Sequence, residues 1–191
     1  MSKPVPGTLA DTACIILARG GSKGVPGKNL RAVGGVSLIG RAVRAGRTAE
    51  QVAVVYVSTD DAEIAAEAAL HGARIIDRPA ALSGDAASSE AGWLHAVPLV
   101  REDLPALDKL VFLQCTSPFI TGSDIDGCLA EMAVRGTDCA LSVTEDHSFL
   151  WGLDDAGGGV GINHNEREQR QRRQDLPPQY CESGAIYCVQ L

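Results

Sequence analysis

Short apolar runs alternate with helical patterns along most of this chain. Ala13–Ala18 is a continuous apolar stretch of strand length, and the spacing predicts a buried strand. Leu38, Ile39, Ala42, Val43 and Ala45 recur at helical spacing, so Ser37–Thr48 is expected to be a helix. Val52–Val57 is rich in β-branched residues and reads as a second strand. Thr59, Asp60 and Asp61 then supply capping side chains for an Ala-rich helix over Ala62–Leu70, which Gly72 ends. The same rhythm continues with a strand at Ala73–Ile76 and a helix at Ser88–Val100, capped by Ser88 or the loop before it. A strand at Leu110–Leu113, a helix at Ile125–Val134 and a strand at Cys139–Val143 follow. Strand–helix alternation of this kind predicts a three-layer α/β fold: a mostly parallel, Rossmann-like sheet with helices on both faces. Right-handed crossovers then place the ligand crevice at the carboxyl ends of the strands.

After Thr144 the rhythm changes. Asp154–Gly161 is Gly-rich, Glu166–Arg173 mixes four arginines with two glutamates, and Leu176-Pro177-Pro178 breaks any helix. Gly184–Val189 reads as one more strand. The segment is expected to be an excursion from the sheet within a single domain spanning residues 1–191, and no internal repeat or interdomain linker is visible.

Composition narrows the function classes. Apolar residues make up 45% of 191 positions, enough to bury a sizeable core. No apolar run approaches the length of a membrane span, and Met1–Asp11 lacks a signal-peptide pattern. The net charge of −7 argues against a nucleic-acid partner, so any phosphate binding must come from a local cluster. Cys14, Cys115, Cys128, Cys139, Cys181 and Cys188 form no C-x-x-C pair and are expected to be reduced, mostly core thiols of a cytoplasmic protein.

That local cluster directly follows the first strand, in Leu17-Ala18-Arg19-Gly20-Gly21-Ser22-Lys23-Gly24-Val25-Pro26-Gly27-Lys28-Asn29-Leu30. Its four glycines let the backbone approach a ligand and turn amides inward, while Arg19, Lys23 and Lys28 bring positive charge suited to a polyphosphate. A Walker A loop does not fit: Ser22 stands where its first Gly belongs and Asn29 where Ser or Thr belongs. A dinucleotide G-x-G-x-x-G is absent as well.

This stretch resembles the signature of the CMP-sialic acid synthetases, the acylneuraminate cytidylyltransferases. Further matches follow in order: Val57-Ser58-Thr59-Asp60; Arg78-Pro79 with Asp85 and Ser88-Ser89; and Leu113-Gln114-Cys115-Thr116-Ser117-Pro118, where Cys115 replaces the usual Pro. Arg173-Gln174-Asp175-Leu176-Pro177 and Glu182-Ser183-Gly184-Ala185-Ile186-Tyr187 resemble the late motifs, so the likeness runs from about Ala13 to Val189. The resemblance implies transfer of CMP from CTP to the anomeric hydroxyl of a nonulosonic, sialic-type acid, with Mg²⁺ bridging the phosphates.

By the same resemblance, Arg19, Lys23 and Lys28 would be the catalytic cations on the triphosphate, and Ser22 and Asn29 would contact the nucleotide. Arg78, Ser88 and Ser89 would read cytosine. Gln114, Arg173 and Tyr187 would face the sugar acid. A capping amide at Gln114 and an ordinary core tyrosine at Tyr187 stand as alternative readings. The segment from about 144 to 178 would be an arm of a homodimer, with Phe149, Leu150, Trp151 and Leu153 as its apolar contact; a buried hairpin in a monomer is the other reading. The family holds its metal with an Asp-x-Asp after the Gly184–Tyr187 strand. Leu191 precedes any such motif, so the metal ligands are left unassigned, that part of the family domain is expected to be absent, and turnover is expected to be slow. Two alternatives are a cytidylyltransferase for another nonulosonic acid or a Kdo-like acid, the Kdo enzymes carrying a Tyr-Gly-Ser core in place of Gly20-Gly21-Ser22, and a catalytically weak CTP-binding remnant lacking the metal aspartates.

Overall fold

A computed structural model describes residues 11–85, 87–164 and 172–191. The chain divides into two compact units, Met1–Ser142 with Gly184–Leu191, and Val143–Ser183. The expected features at 1–10 and most of the arginine-rich run at 166–173 lie outside the described residues.

In the larger unit, β1 (Thr12–Leu17) leads into a glycine-rich loop closed by a 3-10 turn at Lys28–Leu30 and a small hairpin, β2 (Ala32–Val33) and β3 (Val36–Ser37). Then come α1 (Leu38–Thr48), β4 (Val54–Thr59), α2 (Ala62–Leu70), β5 (Arg74–Asp77), α3 (Ser89–Asp103), β6 (Lys109–Leu113) and α4 (Gly122–Arg135). The remaining strands are β7 (Cys139–Asp146), β8 (Trp151–Leu153), β9 (Gly159–Gly161) and β10 (Gln179–Gln190).

The main sheet has the order β5-β4-β1-β6-β10-β7. β1 pairs in parallel with β4 and with β6, and β4 pairs in parallel with β5. β10 is antiparallel to β6, with Tyr187 opposite Phe112. The last strand, β10, inserts between β6 and β7. It satisfies the amides and carbonyls along the free edge of β6 that a buried strand cannot leave unpaired.

Alternation along β1 sends Cys14 and Ile16 to one core and Ala13 and Ile15 to the other. The first core packs Ile39 and Val43 of α1, Ile64 and Ala68 of α2, and Ile125, Leu129 and Met132 of α4. The second packs Ala96 and Val100 of α3 against Tyr56, Leu110 and Phe112. Helices therefore cover both faces. The chain builds outward from β1 to β5 and then returns to the other side of β1 as β6, so the strand order reverses between β1 and β6. A crevice opens there at the carboxyl ends of both strands.

The helix starts follow local chemistry. The Ser37 hydroxyl accepts from the Gly40 amide, the Asp61 carboxylate from the Glu63 and Ile64 amides, and the Ser88 hydroxyl from the Ala91 amide. Thr121 and Asp124 form a capping box at α4.

The six cysteines divide evenly rather than lying mostly in the core: Cys14, Cys115 and Cys188 are buried, Cys128 is half-buried, and Cys139 and Cys181 are exposed. Cys139 begins β7, the edge strand of the sheet, and Cys181 lies in the exposed first half of β10. In the second unit β8 and β9 form an antiparallel hairpin, Trp151 facing Gly161. His164 sits edge-on to Phe149 and Trp151, with ring centroids 5.0 and 4.9 Å away.

Candidate active site

The crevice has a volume of about 510 Å³ and draws on four segments of the larger unit. The loop after β1 contributes Arg19, Ser22, Lys23, Lys28 and Asn29. Arg78 follows β5, Ser88, Ser89 and Trp93 belong to the start of α3, and Gln114, Cys115 and Thr116 follow β6. Nine of the residues singled out in the sequence thus meet in one place, although they are scattered over nearly a hundred positions.

The loop is held by its own backbone and two side chains. Asn29 is buried and its Nδ2 donates to the Arg19 carbonyl at 3.0 Å, so part of its hydrogen-bonding capacity fixes the loop that carries the cations. The Gly20 amide donates to Asp60 Oδ1 at 3.1 Å, and a Cβ at Gly20 would collide with the Asp61 carboxylate. Gly27 adopts φ +61°, the left-handed turn that starts Lys28–Leu30.

Positive charge concentrates on this loop and is partly neutralised across the crevice. Asp85 Oδ1 lies 3.0 Å from Arg19 Nη1, and its other oxygen pairs with Lys23. The Lys23 ammonium, followed by Arg19, holds the Asp85 carboxyl below the usual carboxylate range. A polyphosphate entering here would exchange with one carboxylate for the same two cations. Lys28 is half-buried and lies near Cys115. Burial pushes the Cys115 thiol up to about 12, so it stays neutral beside the cations.

Arg78 is the least ordinary group. Its side chain is 6% exposed, and its Nε and Nη2 have no hydrogen-bond acceptor among the described residues. Asp60 stands 4.0 Å from Nη2, and burial lowers the guanidinium's affinity for its proton, although not enough to discharge an arginine. Unpaired buried donors are costly, and an acceptor brought to this wall by a ligand would relieve that cost.

Two expected residues, Tyr187 and Arg173, stand apart from this set, and a third, Ser88, lines it with its hydroxyl engaged. The Ser88 hydroxyl is occupied as the α3 cap. Tyr187 is half-buried on β10, packed with the second core, and does not line the crevice; an alanine-like Cβ at Gly184 would lie 4.0 Å from its hydroxyl and 3.9 Å from Gln114 Oε1. Arg173 belongs to the second unit, where its Nε donates to the His147 carbonyl at 3.1 Å. Gln114 lines the crevice, and the cap of α4 is Thr121 instead.

Sequence reasoning missed the apolar wall of Leu17, Leu82, Trp93 and Leu113, and the pairing of Asp85 with Arg19 and Lys23. The spacing of Trp93 one helical turn after Ser89 was the available signal for the first. The second joins residues more than sixty positions apart and left no local signal.

The sequence profile of the cytidylyltransferases matches residues 13–188. The N-acylneuraminate cytidylyltransferase of Oncorhynchus mykiss is 34% identical over 177 residues, covering 92% of this chain and 40% of that protein. The pseudaminic acid cytidylyltransferase of Campylobacter jejuni is 28% identical over 182 residues, covering 91% of this chain and 76% of that protein. The chain therefore spans about two fifths of the length of the fish relative. A CMP:2-keto-3-deoxy-manno-octonic acid synthetase solved with CTP superposes with a TM-score of 0.61 at 20% identity, over 94% of this chain and 74% of that one, which establishes the shared fold.

Proposed function

The chain belongs to the cytidylyltransferase family, and from that premise we propose that it transfers CMP from CTP to the anomeric hydroxyl of a sialic-acid-type 2-keto sugar acid. The observation that carries this reading is Arg78, buried at the crevice wall with its Nε and Nη2 nitrogens unpaired among the described residues. Cytosine offers two adjacent acceptors, O2 and N3, to such a fork. Uracil presents an N3–H instead, which would leave one buried donor unsatisfied. Ser88 and Ser89 border the same wall at the start of α3.

Arg19, Lys23 and Lys28 take the triphosphate, exchanging Asp85 for phosphate oxygens. Ser22 lines the same loop, and Asn29 keeps that loop in shape. Gln114, which lines the crevice, is assigned to the sugar acid. The anomeric oxygen attacks the α-phosphorus, the bond from that phosphorus to the bridging oxygen breaks, and pyrophosphate departs while the hydroxyl proton passes to solvent. Charge grows on the leaving oxygens, where fixed cations stabilise the transition state more than the ground state.

Mg²⁺ is assigned as the ion that accompanies the triphosphate. Among the described residues no group of three His, Cys, Asp or Glu side chains lies close enough together to hold a metal. A homodimer through the 149–153 region belongs to the same reading, and the six free thiols suit a reducing cytoplasm.

Calorimetric titration with CTP, UTP, ATP and GTP tests the assignment. CTP is expected to bind tightest, and equal affinity for ATP and CTP would overturn it. Pyrophosphate release measured with a sialic acid, pseudaminic acid and Kdo then identifies the acceptor.

A further inference from the structure

We propose that Trp93 is a nucleoside-positioning residue, its indole forming the apolar wall against which the cytidine portion of CTP packs. Trp93 lines the crevice with Leu17, Arg78, Ser88 and Ser89. Its ring is stacked on Phe112, with centroids 4.2 Å apart and planes inclined by 26°. Phe112 itself is buried in the second core, so the indole rests on a rigid support. Trp93 is nonetheless half-exposed, and the crevice is where it meets open space.

Its position on α3 decides which part of a ligand it meets. It follows Ser89 by one helical turn, and a helical side chain leans over the turn N-terminal to its own Cα. The preceding residue, Gly92, is buried, and a Cβ there would lie 3.0 Å from Leu17 Cδ1 and 3.6 Å from Arg78 Nη1. The guanidinium therefore runs close beneath the helix at Gly92, the residue before Trp93. Tyr187 is 6.3 Å from the Trp93 ring but does not line the crevice, whereas Arg78 and Ser89 line it together with the indole. Polar groups that grip the edge of a flat heterocycle need an apolar surface for its remaining rim and face. Trp93 supplies the largest one here.

The inference rests on the CTP-binding reading above, and the experiment separates the two. The chain has two tryptophans, Trp93 and Trp151, so Trp151→Phe leaves Trp93 as the single indole reporter without altering it. CTP is expected to change the fluorescence of this variant saturably, with a midpoint matching the calorimetric Kd. Inorganic tripolyphosphate, which fills only the cationic loop, is expected to leave the signal unchanged. In parallel, Trp93→Val should weaken CTP binding about tenfold, and Trp93→Phe should recover most of it, because base–aromatic contact has that order of worth. If the unaltered chain does not bind CTP in the calorimeter, the functional reading itself fails. If it binds CTP, the Trp93 proposal is overturned by any of three results: a silent Trp93 signal, an equal response to tripolyphosphate, or a response to the sugar acid in place of CTP. Should Trp93→Val not fold, the fluorescence of Trp151→Phe still decides.

Discussion

At the residue scale, two side chains of the crevice bear unequal burdens. Lys28 is half-buried at the rim of a loop whose shape depends on Asn29, Gly20 and Gly27. Lys28→Ala therefore removes a cation without opening a cavity. Turnover of the proposed reaction should fall about a hundredfold, on the order of 3 kcal/mol of transition-state stabilisation, while the thermal midpoint stays nearly unchanged. A steady-state assay beside a melting curve checks both halves of that expectation. Arg78 is different because its fork is buried and its Nε and Nη2 are unpaired. Lysine keeps the charge but not the paired geometry. Arg78→Lys should weaken CTP binding about ten- to hundredfold, with little change for UTP, as read by calorimetry.

At the element scale, the helices are held by close approaches and by caps. The first turn of α4 crosses the end of α1 at Gly122, where an added Cβ would lie 2.5 Å from the Ala49 nitrogen and 2.6 Å from the Thr48 oxygen. Backbone cannot yield as a flexible side chain does. Gly122→Ala should cost about 2–3 kcal/mol, visible as a lower urea midpoint with an unchanged slope. The Asp126 carboxylate reinforces the same junction by accepting from the Glu50 and Gln51 amides, both at 2.9 Å. On the other face, the Tyr56 hydroxyl donates to Asp103 Oδ2 at 2.5 Å and Arg74 pairs with the same oxygen, which ties β4 and β5 to the end of α3. The Tyr56 hydroxyl, followed by Arg74, holds the Asp103 carboxyl below its usual range. Its folded pKa is thus lower than its unfolded one. The stabilisation is complete above the unfolded pKa of about 4 and is lost as pH falls through the folded value. Asp103→Asn should accordingly melt earlier than the unaltered chain at pH 7, and the two melting curves should converge as the pH is lowered below about 4.

At the scale of the whole molecule, the second unit exposes apolar side chains that a monomer would leave in water. Trp151 is 52% exposed, Leu153 77% and Ile162 65%, all on or beside the β8–β9 hairpin. Clustered exposure of this kind marks an interaction surface. The proposed homodimer should appear in light scattering as a species of two chains at micromolar concentration, and Leu153→Glu should shift it toward one. A single-chain mass for the unaltered protein across that range would count against the dimer.

Apart from the short β2–β3 hairpin, the sequence by itself determined the succession of strands and helices through Cys139, because apolar period and capping residues are encoded within windows of a dozen positions. Leu38–Thr48 and Ala62–Leu70 differ from the expected helices by no more than one residue at either end. It also located the cationic glycine loop, since four glycines and three basic residues after a buried strand form a local pattern. What only the tertiary structure decided depends on residues far apart in the chain. The place of β10 between β6 and β7 follows from the need to pair a buried sheet edge, which no strand's own periodicity records. The charge balance of the loop rests on Asp85, brought across the crevice to Arg19 and Lys23. The burial of Arg78 and the seating of Trp93 on Phe112 likewise arise where β5, α3 and β6 converge. Desolvation and packing of this sort are properties of the assembled layers, so the residue types were legible in the sequence while their environments were set by the fold.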